Sequence, residues 1–328
     1  MSVANKISAE LKGDRAIWMV VALLSIVSVL AVYSATGTLA WKSKNGDTTM
    51  FLLTHVVRLG FGLALVYICH LLHYQRYNKM APFLLLLVIA LLIFTLLFGV
   101  RLNEASRWIS FGGISFQPSE LAKIVLIIYV ARELTRKQEY IASWSEAFVP
   151  IILPVLAVCG LIAPANLSTS MVLFATSIAL MFIGRVKPRF IFLLMLLGVV
   201  LFAGLIVVGE FFPGLVRVDT WVSRVSDYIY NEDGGYQVQQ AKIAIANGGL
   251  AGVGPGNSIS RNFLPYVYAD FIFPLICEEY GIIGGILVMG LYILLFFRTV
   301  ALVTKSPKAF GAFLAIGLSL SLTMQALA

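Results

Sequence analysis

NGGLAGVGPGNSISRNFLPYVYADFIFPLICEEYG, residues Asn247 to Gly281, passes from a glycine-rich, basic and aromatic loop through one acid, Asp270, into an apolar run that continues to Phe297. A helix crosses a bilayer in about 20 apolar residues, so the run after Asp270 is long enough to span. A carboxylate at the bilayer edge is costly to hold without partners, and by default that makes Asp270 a functional residue. An Asp just before an apolar run is equally well placed to cap the helix that follows. Position alone leaves these two readings level.

Working outward, the rest of the chain repeats the apolar pattern. Further blocks run from Ala16 to Ala35, Phe51 to Leu72, Pro82 to Val100, Pro118 to Val130, Ala147 to Ile162, Leu167 to Ile183, Phe190 to Val208 and Ala309 to Leu327. With 60% hydrophobic and 12% charged residues in 328, the chain cannot cover its apolar surface as a soluble globule must. Membrane strands would read as alternating segments of about 10 residues, which these blocks are not. The expected fold is therefore all-α: a polytopic integral membrane helical bundle of nine spans, one domain over residues 1–328. Residues 210–269 form a long loop between spans seven and eight. The first block follows Lys6, Lys12 and Arg15 and is expected to stay as an uncleaved anchor.

Basic residues set the expected orientation, because short cytoplasmic loops are enriched in Lys and Arg. With the N-terminus inside, Arg76, Lys79, Arg132, Arg136, Lys137, Arg185, Lys187, Arg298 and Lys305 are all internal. Seven spans then carry the chain out, so Asp270 lies on the extracytoplasmic face. The net charge of +8 is mostly this inside bias, and a nucleic-acid partner is rejected. Cys69, Cys159 and Cys277 fall in apolar blocks and read as small core residues. His55, His70 and His73 are too few and too scattered to make a metal site.

Several polar residues beside the blocks carry two readings each. Arg107 stands in an outer loop ahead of Pro118, which suits a helix start, and Glu120 falls in the first turn. Lys123 lies three residues further and shares a face with Glu120. The pair is either a structural clasp or the cation that receives an anionic headgroup, and spacing slightly favours the clasp. Arg58, inside the second span, is read as structural. Asn166, in PANLST, is read as a turn and cap residue.

The segment from Glu210 to Ala269 is too long for a simple connector. Within it, YQVQQAKIAIANGG places Val238, Ala241, Ile245 and Ile243 on a weak apolar stripe, an interfacial helix ending at Gly248 and Gly249. Gln237, Gln240 and Lys242 then face either sugar and phosphate groups or water. Gly252, Gly254 and Gly256 permit close backbone approach, and their N–H groups suit phosphate, though no strand–turn–helix context makes this a nucleotide motif.

Four stretches together carry a specific resemblance: QPSELAK at Gln117 to Lys123, GGYQVQQAKIAIANGGLAGVGPGNS at Gly234 to Ser258, FLP at Phe263 to Pro265, and DFIFPLICEEYGIIGG at Asp270 to Gly285. In them the chain resembles the SEDS family of shape, elongation, division and sporulation proteins. Gly254, Gly256, Asn257 and Ser258 are closer to its division-type branch, FtsW, than to the elongation-type branch, RodA. The resemblance implies a ten-span peptidoglycan glycosyltransferase in the bacterial cytoplasmic membrane. It would polymerise lipid II on the outer face with a class B penicillin-binding transpeptidase and other division proteins of the membrane. Nine spans are visible, so a tenth is expected beyond MQALA.

The resemblance also implies site roles. Asp270 is the expected general base for the acceptor hydroxyl. Arg107 and Lys123 are expected at the pyrophosphate, with Glu120 orienting Lys123. Gln237, Gln240, Lys242, Asn257 and Ser258 are expected at the headgroup. A divalent cation, Mg or Mn, could assist at the diphosphate, although no cluster in the sequence establishes one. The chain departs from the family where Tyr266, Val267, Tyr268 and Ala269 precede Asp270 and where Asn262 replaces a frequent acid, so a second carboxylate there is not expected. The competing functions are a lipid-linked precursor flippase and a noncatalytic scaffold.

Overall fold

The computed structural model describes residues 13–37, 48–102, 105–111, 114–141, 143–211, 235–264 and 267–327, with isolated positions between 212 and 234. Among the described residues, nine long helices fall one to one on the nine apolar blocks. They are α1 (Arg15–Ala35), α2 (Thr49–Leu71), α3 (Gln75–Phe98), α4 (Pro118–Arg136), α5 (Val149–Ile162), α6 (Leu167–Ile183), α7 (Pro188–Phe211), α9 (Ile272–Val303) and α10 (Ala309–Leu327). The shorter α8 (Tyr236–Gly248) precedes α9. Among the described helices, α1, α2, α3, α7, α9 and α10 are long and apolar enough to cross a membrane, while α5 and α6 are shorter apolar helices. The fold is that of a multi-pass helical membrane protein.

Helix ends overrun the apolar blocks where the flanking residues are good helix formers. Gln75, Arg76 and Lys79 extend α3 seven residues upstream of its expected start at Pro82, which sits inside the helix. Arg132, Glu133 and Arg136 likewise extend α4 past Val130. Hydropathy marks the apolar slab, and the helix continues into the polar layer beyond it.

A small sheet was not expected. The connection between α3 and α4 folds as an antiparallel meander of β1 (Val100–Leu102), β2 (Ala105–Phe111) and β3 (Ile114–Phe116). Val100 pairs Trp108 and Ile109 pairs Phe116. ASRWISF sets Ser106 beside Arg107 and Trp108 beside Ile109, so the sequence lacks the strict polar and apolar alternation that marks a strand.

The chain clusters into two compact units, residues 1–72 with 223–298 and residues 73–222 with 299–328. In the second unit, the buried core includes Leu126, Ile127, Leu134, Ile151, Leu173 and Leu180. Phe148 stacks on Phe190 there, with ring centroids 4.6 Å apart. In the first unit, α1 runs antiparallel to α9 and the two are pinned at both ends. Asp14 caps α1, its Oδ1 accepting from Ala16 N at 2.8 Å and Ile17 N at 3.3 Å. Its Oδ2 accepts from Arg298 Nε at 2.8 Å and faces Nη2 at 2.8 Å. That bond holds the Asp14 carboxyl below the usual aspartate range. At the far end of α1, Ser34 meets Glu279. Twenty residues of helix separate the two contacts by about 30 Å, the thickness of a bilayer core.

Candidate functional site

The first unit holds a helix broken in its apolar run. Gly281, at φ 71° and ψ −179°, interrupts α9 after Tyr280. A break leaves carbonyls of the first segment and N–H groups of the second without helical partners. Residues 249–254 supply both. Val253 N and Gly254 N donate to the carbonyls of Glu278 (2.9 Å) and Glu279 (3.0 Å), and the carbonyls of Gly249 and Leu250 accept from Ile282 N (2.9 Å) and Ile283 N (3.4 Å). This approach has no room for side chains. A Cβ on Gly248 would stand 2.0 Å from Cys277 O, on Gly252 2.2 Å from Glu279 O, and on Gly281 2.1 Å from Leu250 O. Irregular backbone inside an apolar run is tolerated where protein satisfies it, as here.

Side chains then lock the loop to the broken helix. Glu278 is 1% exposed. It accepts from the Ser258 hydroxyl, from Ser260 Oγ at 3.0 Å and N at 3.3 Å, and from Ile259 N at 3.4 Å. Glu279, also 1% exposed, accepts from the Ser34 hydroxyl with Oε1, and its buried Oε2 has no hydrogen bond among the described residues. Arg261 Nη1 donates to the Ser34 carbonyl at 3.5 Å.

Asp270 sits in the turn two residues before α9 begins, exposed, and among the described residues no hydrogen bond or ion pair holds it. It accepts no capping bond there. An uncommitted carboxylate at the mouth of a fastened loop is available to a ligand hydroxyl. The residues expected around it separate into two groups. Gln237 and Lys242 are exposed on α8, and Gln240 is half-buried. Asn257 is exposed and donates from Nδ2 to Val253 O at 3.1 Å, bracing the glycine turn. Ser258 is 3% exposed, so its hydroxyl is committed to Glu278 rather than presented at the surface. The face that α8 buries is Ala244 and Gly248 with Ala241 and Ile245 beside them, whereas Val238 and Ile243 of the expected stripe are exposed.

Glu120 and Lys123 belong to the other unit. Lys123, 6% exposed, binds Glu120 Oε2 at 2.7 Å and Gln325 Oε1 of α10 at 2.7 Å. The glutamate side chain remains 50% exposed. Arg107 lies on β2, and its side chain falls outside the described residues. Asn166 caps α6 through Thr169 N at 3.2 Å, as its place in PANLST predicts.

A family model described as "Cell cycle protein", grouping FtsW, RodA and SpoVE, matches residues 14–328. The chain belongs to this family. Among family relatives, the probable peptidoglycan glycosyltransferase FtsW of Geobacter metallireducens is 32% identical over 321 residues, 95% of this chain and 83% of its own. The protein of the same name from Coxiella burnetii is 30% identical over 318 residues, 94% of this chain and 84% of its own. Stage V sporulation protein E of Bacillus subtilis is 28% identical, covering 95% and 85%. The fold matches Thermus thermophilus rod shape determining protein RodA with a TM-score of 0.66 at 22% identity, over 97% of this chain and 84% of that one. It also matches a chain from a peptidoglycan synthase complex that coordinates polymerization and crosslinking, with a TM-score of 0.69 at 23% identity, over 97% and 86%.

In this member of the FtsW, RodA and SpoVE family, Ser34, Glu278 and Glu279 join the loop to the broken helix, and none of the three was singled out from sequence; Arg261 was read only as a basic residue of the outer loop. The signal for the two glutamates was present, because two adjacent acids inside an apolar block are expensive unless partnered. Averaged hydropathy dilutes them, and Ser34 lies 245 residues from its glutamate.

Proposed function

We propose that this chain is a peptidoglycan glycosyltransferase that polymerises lipid II at the outer face of the bacterial cytoplasmic membrane, with Asp270 as general base. The observation that carries the base assignment is the exposed carboxylate of Asp270, which no hydrogen bond or ion pair holds among the described residues, whereas Glu278 and Glu279 on the helix that follows are buried and accept from Ser258 and Ser34. In one displacement, the acceptor hydroxyl oxygen bonds to the anomeric carbon of the donor sugar. The bond from that carbon to the pyrophosphate oxygen breaks, and the hydroxyl proton passes to Asp270. The anomeric centre inverts from α to β, no enzyme nucleophile is needed, and polyprenyl pyrophosphate leaves.

Arg107 and Lys123 are assigned to the negative charge that develops on the leaving group. Gln237, Gln240, Lys242 and Asn257 are assigned to the headgroup, with Ser258 acting through Glu278. Among the described residues no three His, Cys, Asp or Glu side chains gather as metal ligands. The N-terminus is assigned to the cytoplasm, and the ends of α1 support an Asp270 that faces the other way. A class B penicillin-binding transpeptidase is the assigned partner, supported by the synthase complex whose chain shares this fold.

The test is polymerisation of lipid II by the purified full-length protein with a transpeptidase-inactive partner. Wild type is expected to make glycan strands. Asp270→Asn, which removes the base at nearly constant volume, is expected to lower turnover by roughly 100-fold or more while inserting and binding its partner normally. Wild-type turnover in that variant would defeat the assignment, and lipid translocation without polymer from wild type would favour a flippase.

A further inference from the structure

Two adjacent carboxylates buried to 1% are a costly way to join a loop to a helix, because apolar side chains of similar volume usually serve stability as well or better. Their placement explains what the cost obtains. Ile272 to Tyr280 is a helical segment of about 13 Å, led by the turn that carries Asp270 and ended by the break at Gly281. Glu278 and Glu279 stand at the closed end of that segment. Glu278 gathers donors from residues 258–260 and so registers the segment against the glycine loop. Glu279 takes the Ser34 hydroxyl and registers it against the end of α1. Ser34 serves both sides of the junction, since its carbonyl accepts from Arg261.

We propose that Glu278, Glu279 and Ser34 are positioning residues for the glycosyl transfer, which hold the Asp270-bearing segment in the one orientation that lets its carboxylate reach the acceptor hydroxyl. This rests on the polymerase reading above. A rigid segment anchored at one end turns a small loss of register there into a displacement of Asp270 at the other. Misplacement by about 1 Å can cost on the order of 100-fold in rate.

The test is steady-state polymerisation of lipid II by the full chain with a transpeptidase-inactive partner, comparing wild type, Glu278→Gln, Ser34→Ala and Ser34→Thr, each also melted thermally. Ser34→Ala is expected to lower kcat by roughly tenfold or more, with KM for lipid II within about threefold of wild type. Ser34→Thr keeps the hydroxyl and is expected to restore kcat to within about threefold. Glu278→Gln, which turns one acceptor into a donor facing other donors, is expected to lower kcat further. A junction that merely packed would show the reverse at Ser34, tolerating Ala and suffering from the extra methyl of Thr. That pattern, or kcat unchanged in both Ser34→Ala and Glu278→Gln, overturns the proposal. If Glu278→Gln fails to fold, the Ser34 pair alone decides. Wild-type activity and its loss in Asp270→Asn test the polymerase reading separately, so either can fail without the other.

Discussion

Asp14 shows how one side chain can cap a helix and anchor it to another. Its Oδ1 serves the first N–H groups of α1 while Oδ2 takes the Arg298 guanidinium. Asn caps about as well as Asp, so Asp14→Asn removes the ion pair and spares the cap. Arg298 holds the folded carboxyl below the ordinary aspartate value of about 3.9. A depressed folded pKa adds stability that is fully present above the unfolded value and fades as pH falls through the folded one. Thermal melts in detergent should therefore separate wild type from Asp14→Asn at neutral pH and converge in acid. A gap that stays constant down through the aspartate range would deny the pair any role. At this scale, the Glu120 and Lys123 pair was legible because i, i+3 spacing on a helix is local, and the structure adds Gln325 from 202 residues away. Asp270 was legible from its place at the edge of an apolar block. Glu278 was not, because its donors come from a loop whose path no periodicity encodes.

The broken helix α9 is the element on which the proposed site depends. Its apolar run was plain in the sequence, and its interruption was not, because Gly281 sits among glycines that equally suit close helix packing. Conformation decides between them. Gly281 holds a backbone shape essentially reserved to glycine and faces the Leu250 carbonyl, whereas an added Cβ at Gly290 meets nothing within 4 Å. Gly281→Ala should cost at least about 1–3 kcal/mol and lower the melting temperature and folded yield, while Gly290→Ala should be neutral or stabilising by up to about 1 kcal/mol. Equal melting temperatures for the two variants would mean that the break is not a fixed feature of the fold. The same contrast accounts for α8, whose existence and end at Gly248 were predicted and whose buried face was not. Ala244 and Gly248 pack inward because small residues let the backbone approach Cys277, and larger Val238 and Ile243 are left outside.

Over the whole molecule, composition and block length were enough to read a multi-pass helical bundle, and the nine described long helices match the nine blocks. The meander after α3 was missed because its strands are short and carry the same apolar residues as the helices around them. The proposed role of Asp270 depends on the side of the membrane on which it lies. Within the first unit, Asp14 at one end of α1 binds Arg298 of α9 and Ser34 at the other end binds Glu279 of α9, so the two contacts belong to opposite faces if the helix crosses. The most direct measurement is labelling with an impermeant thiol reagent, in a background with Cys69, Cys159 and Cys277 replaced. Single cysteines go at Leu250, 73% exposed beside the loop, and at exposed Lys305 after α9. In intact spheroplasts the cysteine at 250 should react at once and the cysteine at 305 only after the membrane is opened. The reverse pattern would put Asp270 in the cytoplasm and contradict an external polymerase.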